Sequence, residues 1–168
     1  MSREIRNRVA DSKLITIDLE DFYPKGERVE LDISQWLLEG SVLREKDFRE
    51  QVKNYPWGQY QGCCIALTNK TEAIIPAWAF MLLTVQLAPF VKKISVGSLA
   101  QLDSLIFSEI ISSINVDDYE GKSVIIKGCA NKPIPENAYI LLCQKLQPIV
   151  KSVMYGEACS SVPLYKKK

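Results

Sequence analysis

At 168 residues, with 47% apolar and 24% charged residues, the chain has the make-up of one ordinary globular domain, and neither a disordered nor a collagen-like reading fits it. Lys and Arg number 21 against 20 for Asp and Glu, a net charge of +1, so there is no basic field for nucleic acid and no acidic field for cationic partners. Histidine is absent, which excludes Ser-His-Asp and Cys-His nucleophile pairs and every zinc site built on imidazole.

The N-terminus carries Arg3, Arg6 and Arg8 with no apolar run behind them, so a secretory signal is not expected. The five cysteines, an odd number, fit reduced thiols in the cytosol better than a disulfide framework. Leu14 to Leu19 alternates well enough for a strand, and so does Val29 to Ile33. Pro24-Lys25-Gly26 supplies a turn between them, which predicts a small antiparallel N-terminal pair. Arg44 to Lys53 reads as a solvated helix with a narrow apolar stripe, Phe48 and Val52.

From Tyr60 a strand-then-helix rhythm sets in. Cys63 to Leu67 is a strand, and Ile75 to Val91 a helix with Pro76 in its first turn, a buried core helix rather than a membrane span. Lys93 to Val96 is a strand. Ser98 and Gln101 have capping-box spacing ahead of a helix through Leu102, Ile106 and Ile110. Val124 to Ile126 is a strand, about 135 to 149 a helix, and Ser152 to Tyr155 the last strand, with Leu164 to Lys168 a solvated tail. The order predicts one α/β domain over 1–168, a less regular part (1–59) followed by a repeating strand-helix core (60–163). Its mainly parallel sheet carries helices on both faces. No internal repeat, low-complexity segment or linker is apparent that would divide the chain.

Ligands of open parallel sheets bind outside the carboxyl ends of the strands. That singles out Thr68 to Thr71, Gly128 to Pro133 and Gly156 to Ser161, three loops expected to share one edge. Cys129 and Cys159 then occupy equivalent places, each near a glycine. Cys129 also lies between Lys127 and Lys132 and ahead of a helix N-terminus, features that favour a thiolate able to bind metal, carry a persulfide or attack an electrophile. The plainer reading is an inert loop cysteine. Cys143, on the stripe of the last helix, and Cys63 and Cys64, adjacent within a strand, read as core. The stretch Gly128 to Lys132 also offers backbone amides to an anion, though Pro133 and Pro135 remove two donors. No GxGxxG or P-loop occurs, so nucleotide binding is not supported. Trp36, Trp57 and Trp78 read as core or rim anchors, and Glu20-Asp21 and Asp117-Asp118 as a solvated face.

Leu14 to Asp21, Leu43 to Arg49, Ile75 to Ala79, Ile125 to Cys129, Asn131 to Pro133 and Tyr155 to Lys166 resemble a bacterial family catalogued as domain of unknown function 2480, over nearly the whole chain. The resemblance implies an association with cytosolic iron-sulfur assembly, hence assembly proteins as partners. The motif positions that bear chemistry are Cys129 with Asn131 and Lys132, and Glu157 with Cys159 and Ser160.

Three readings of function stand open. In the first, the protein is a cytoplasmic accessory factor for iron-sulfur cluster or sulfur handling. Cys129 and Cys159 hold iron, zinc, a cluster or a persulfide transiently, and Glu157 or a second subunit completes the ligand set. In the second it is a non-catalytic protein-binding module, with an exposed patch around Tyr55, Trp57 and Tyr60 and incidental cysteines. The third, an enzyme with Cys129 as nucleophile, has only Lys132 or Glu157 for a base, so a non-enzymatic role is favoured.

Overall fold

The structure is a computed structural model that describes residues 14–128 and 131–168. Along these residues run β1 (Leu14–Ile17), β2 (Arg28–Asp32), α1 (Glu45–Lys53), β3 (Cys64–Thr68), α2 (Ala77–Leu87), β4 (Lys93–Val96), α3 (Leu99–Ser113), β5 (Ser123–Ile126), α4 (Glu136–Leu146), β6 (Ser152–Glu157) and β7 (Ser160–Lys166). They form two compact units. The first takes in the described residues through Tyr23 together with Phe107–Lys168, and the second is Pro24–Ile106. Among the described residues no helix is long and apolar enough to cross a membrane.

Each unit is built on a central apolar strand with a parallel neighbour on either side. In the first unit that strand is β5, in the sheet order β1-β5-β6-β7, and in the second it is β3, in the order β2-β3-β4. Val124, Ile125 and Ile126 are buried, as are Ile65, Ala66 and Leu67. A strand with parallel neighbours has both faces covered, which is why these two read as unbroken apolar runs rather than as alternating ones. The capping box forms as its spacing predicts, with Gln101 Oε1 accepting from the Ser98 amide at 2.8 Å and Ser98 Oγ accepting from the Gln101 amide at 3.2 Å.

The fold is α/β and mostly parallel, but three expectations about its arrangement fail. The strands Leu14–Ile17 and Arg28–Asp32 do not pair with each other. β1 runs parallel to β5 with Leu14 opposite Ser123, and β2 runs parallel to β3 with Arg28 opposite Cys64. A central apolar strand offers each of them more apolar burial than a two-stranded ribbon would. The antiparallel pair is C-terminal instead: β7 lies on β6 with Ser160 opposite Glu157, and it takes in Leu164 to Lys166 of the expected tail. Finally, there are two sheets, so the loop Thr68 to Thr71 belongs to a different sheet edge from the loops that follow β5 and β6.

The two units are also copies of one plan, an internal repeat that the sequence did not disclose. Pro76 and Pro135 precede α2 and α4 with the same backbone angles, φ −68° and ψ 147° against φ −67° and ψ 140°. At the same chain offset, Gly62 and Gly121 are both left-handed and donate to Phe90 and Ile149, at 2.8 and 3.1 Å. The amides of Lys92 and Lys151 donate to Cys63 and Lys122, both at 2.8 Å. The cores match likewise: Phe48, Ile65, Leu67, Ala79, Leu83 and Leu87 of one correspond to Phe107, Val124, Ile126, Ala138, Leu142 and Leu146 of the other. The opening strands correspond at a shorter offset. Ile17, Asp18 and Leu19 of the first unit match Leu31, Asp32 and Ile33 of the second, and both aspartates cap a 3-10 turn by accepting the amide two residues on.

Leu83 and Leu142 are fully buried at equivalent places. Leu83→Ala and Leu142→Ala are each expected to cost about 2–5 kcal/mol, whereas Met81→Ala, on the exposed side of α2, should cost less than about 0.5 kcal/mol; urea unfolding of the three variants checks this.

Candidate functional site

At the carboxyl edge of β1 and β5, charge is neutralised pair by pair. Lys127 Nζ donates to Asp18 Oδ2 at 2.7 Å, while Asp18 Oδ1 accepts from the Glu20 amide at 2.9 Å. That ammonium holds the Asp18 carboxyl below the ordinary carboxylate range against an upward push from burial, with the Glu20 amide helping. The Lys127 ammonium is raised in turn, chiefly by Asp18. Glu20 Oε1 accepts from the amides of Asn131 and Lys132, the latter at 2.9 Å. Lys132 Nζ reaches the Glu20 carbonyl at 3.3 Å and lies 5.4 Å from the centre of the Tyr23 ring. Two of the amides expected to cradle an anion, those of Asn131 and Lys132, thus have one, the protein's own Glu20. Read from sequence, Glu20 belongs to a solvated face; its partners lie more than a hundred positions away, and no local pattern points to them.

On the next strand, the Tyr155 hydroxyl donates to the Gly128 carbonyl at 3.2 Å, and its ring stands edge-on to Tyr139, centroids 5.8 Å apart. The ring presses so closely on the loop that a Cβ at Gly128 would meet Tyr155 Cζ at 3.0 Å. Cys159 is exposed, in the two-residue turn between β6 and β7 that the Glu157–Ser160 pair closes. Cys129 lies outside the described residues, so its distance from Cys159 is not defined. Among the described residues no group of three or more Cys, Asp or Glu is placed to hold a metal ion. Cys63 and Cys64 are buried and Cys143 half-buried. Burial, with Glu27 and Cys64 nearby, pushes the Cys63 thiol up and keeps it protonated.

The equivalent edge of the second unit is differently furnished. Asp32 caps its turn through Ser34 and also accepts from the Lys70 amide at 3.2 Å. Burial raises its carboxyl, but these hydrogen bonds outweigh it and hold Asp32 below the ordinary range. Asn69 organises its own loop, accepting from the Thr71 amide and hydroxyl and donating to the Ala73 carbonyl. Beside this loop lies a cleft of about 330 Å³ lined by Glu30, Thr68, Asn69, Lys70, Phe80 and Val96, among others. Thr68 stands where the first unit has Lys127, and its Oγ1 is buried without a hydrogen-bond partner. A second cleft, of about 290 Å³, is lined by Thr84 and Ala88 at one side and Lys93 and Ile94 at the other. The first lies at the carboxyl end of β3, walled by Phe80 of α2 and Val96 of β4, and the second lies between the end of α2 and the start of β4.

Two further differences separate the repeats. β6 carries β7 along its outer edge, whereas β4 ends its sheet, with no strand beyond it among the described residues. On its solvent side α4 carries Glu136, Gln144 and Gln147 around Ile140, which is exposed like its counterpart Met81. The matching positions of α2 are Ala77, Val85 and Ala88, and α2 contains no charged residue. Met81 and Val85 are 67% and 66% exposed and Ile74, just ahead of the helix, 94%. The expected patch at Tyr55, Trp57 and Tyr60 is not exposed: Trp57 is buried, and the two tyrosines are half-buried and share a hydroxyl hydrogen bond of 2.9 Å. Sequence placed the apolar surface on the wrong element, because a helix apolar all round reads as a buried one.

The family model described as "Protein of unknown function (DUF2480)" matches residues 3–167, and the chain belongs to that family. No curated protein and no solved structure matches the chain.

The Asp18–Lys127 pair sets two arms of pH dependence. A lowered Asp18 contributes stability that is complete above its ordinary value of 3.8 and lost as pH falls through the folded value. A raised Lys127 contributes stability that is complete below 10.5 and lost as pH rises through its folded value. Asp18→Asn should flatten both arms of a plot of Tm against pH; an acid arm as steep as that of the parent would assign the linkage to other groups.

Proposed function

We propose that this family member is a non-catalytic protein-binding module, docking an extended segment of a partner protein in the groove between α2 and the outer edge of β4. The contrast between the repeats carries this reading. One repeat is closed along its strand edge: β7 pairs antiparallel along β6, and the outer side of its helix carries Glu136, Gln144 and Gln147 around an exposed Ile140. In the other, the matching strand has no outer neighbour among the described residues, and the matching helix face is uncharged. An open strand edge presents alternate N–H and C=O groups to any extended chain, and the wall beside it selects side chains. The occupant the fold itself indicates is an antiparallel strand, as β7 is to β6, with uncharged side chains facing Phe80, Thr84 and Ala88, the residues on and just after α2 that line the clefts beside β4. Lys93 and the shortness of β4 limit indiscriminate pairing.

Heptapeptides selected from a displayed library against the whole protein test this. The expected binders shift the amide resonances of Lys93 to Gly97, and Thr84→Glu with Ala88→Glu weakens them at least about tenfold, or about 1.4 kcal/mol. Binders that leave β4 unmoved, or a chain that already pairs with its own copy through β4, would contradict the reading.

A second reading, sulfur or iron handling, is favoured by the exposed thiol of Cys159 at a hairpin turn beside Glu157, on the strand next to the one that leads to Cys129. In this reading Cys129 and Cys159 are the ligands or persulfide carriers, Glu157 completes the set, and Asn131, Lys132 and Ser160 support them. A closed site needs a further ligand from a second subunit or an iron-sulfur assembly partner, which suits transient binding. Protein purified without oxygen should then hold stoichiometric iron, zinc or acid-labile sulfide that is lost in the Cys129→Ser, Cys159→Ser double variant. Metal-free protein whose thiols react like free cysteine would contradict it.

A further inference from the structure

We infer that the cleft between Phe80 and Val96 in the second repeat is a receptor for a single aromatic ring. The repeat supplies the comparison. At the matching place in the first repeat the chain inserts a ring of its own, Tyr155, edge-on to Tyr139 with centroids 5.8 Å apart. Phe80 stands at the position of Tyr139, so the aromatic wall is retained. Val96 stands at the position of Tyr155 and is 59% exposed, and in place of the tyrosine ring there is a cleft of about 330 Å³.

The neighbouring exchange fits the same logic. A Cβ at Gly128 would meet Tyr155 Cζ at 3.0 Å, so beside any larger residue the ring has to move out by a few tenths of an ångström, and the second repeat has Asn69 there. A guest ring therefore rides further from the loop backbone than Tyr155 does and makes no counterpart of the Tyr155–Gly128 hydrogen bond. Edge-to-face contact with Phe80 and apolar contact with Val96 hold it. Its class is accordingly a benzenoid ring, with or without a hydroxyl. It is either the side chain of a Phe or Tyr in the docked segment, which rests on the reading above, or a free aromatic molecule, which does not.

Amide and aromatic NMR titrations of the whole protein with phenol and with cyclohexanol separate these outcomes. Phenol is expected to shift Asn69, Phe80 and Val96 saturably, and cyclohexanol, of similar size but without a ring quadrupole, to bind about fivefold more weakly. Val96→Tyr should abolish the phenol shifts by filling the cleft from within. Tyr155→Val should add a second set, at Tyr139, while the first remains. No saturable shift with phenol, equal binding of cyclohexanol, or phenol binding unchanged in Val96→Tyr would each overturn the inference. A five-residue extended peptide with a central Phe identifies the source. Affinity at least tenfold above that of phenol assigns the ring to a partner side chain. Equal affinity assigns it to a free aromatic and counts against the docked-segment reading while leaving the cleft in place.

Discussion

Everything in this protein depends on two short strands, β3 and β5, that are apolar on both faces and accept a parallel neighbour on each side. Parallel pairing forces the chain to cross over between neighbours, so helices follow and the loops after the strands collect at the carboxyl edges. Ile65, Ala66 and Leu67 in one unit and Val124, Ile125 and Ile126 in the other are buried as a consequence. The strands that flank them, β1 and β2, come from the start of the chain. β1 therefore closes its sheet over a separation of more than a hundred residues, a pairing whose loop entropy only a substantial apolar interface offsets.

Built twice, this plan has been finished in two ways. In the first unit the described part of the carboxyl edge is tied down from within: Asp18 holds Lys127, Glu20 holds the amides of Asn131 and Lys132, and Tyr155 covers Gly128. Its edge strand is paired with β7. In the second unit the Asp32 and Asn69 turns order the loops but fill no cleft, and Met81, Val85 and Val96 face solvent. A soluble helix normally turns polar residues outward, as α4 does with Glu136, Gln144 and Gln147, its exposed Ile140 apart. The departure of α2 from that rule, beside a β4 edge with no further strand among the described residues, is the feature on which the proposed docking site rests.

Much of the element order is legible in the sequence, because local signals carry it. The Ser98–Gln101 box, the prolines ahead of α2 and α4 and the β-branched run at Val124 act through neighbouring residues. Long-range choices are not local. The turn at Pro24-Lys25-Gly26 suggests a hairpin, but β1 and β2 each find a better partner further along the chain. β7 escapes notice because Pro163 and the flanking polar residues do not read as strand. The repeat escapes for a related reason. Its matches sit mainly at buried and turn positions such as Leu83 and Leu142, or Gly97 and Gly156, while most exposed positions differ, and the two opening strands lie together ahead of both copies. Of the candidate site residues, Glu157, Cys159 and Ser160 fall in one hairpin as adjacency requires. Asn131 and Lys132 meet Glu20, a partner that no spacing rule reveals.

The most direct test of an open second repeat and a closed first one is amide hydrogen exchange of the free protein, read strand by strand. The outward-facing amides of β4 should exchange orders of magnitude faster than those of β6, which lie under β7, while amides facing β3 and β5 stay protected in both. Equal protection of the outward amides of β4 and β6 would mean that the β4 edge is already covered, and would contradict the account.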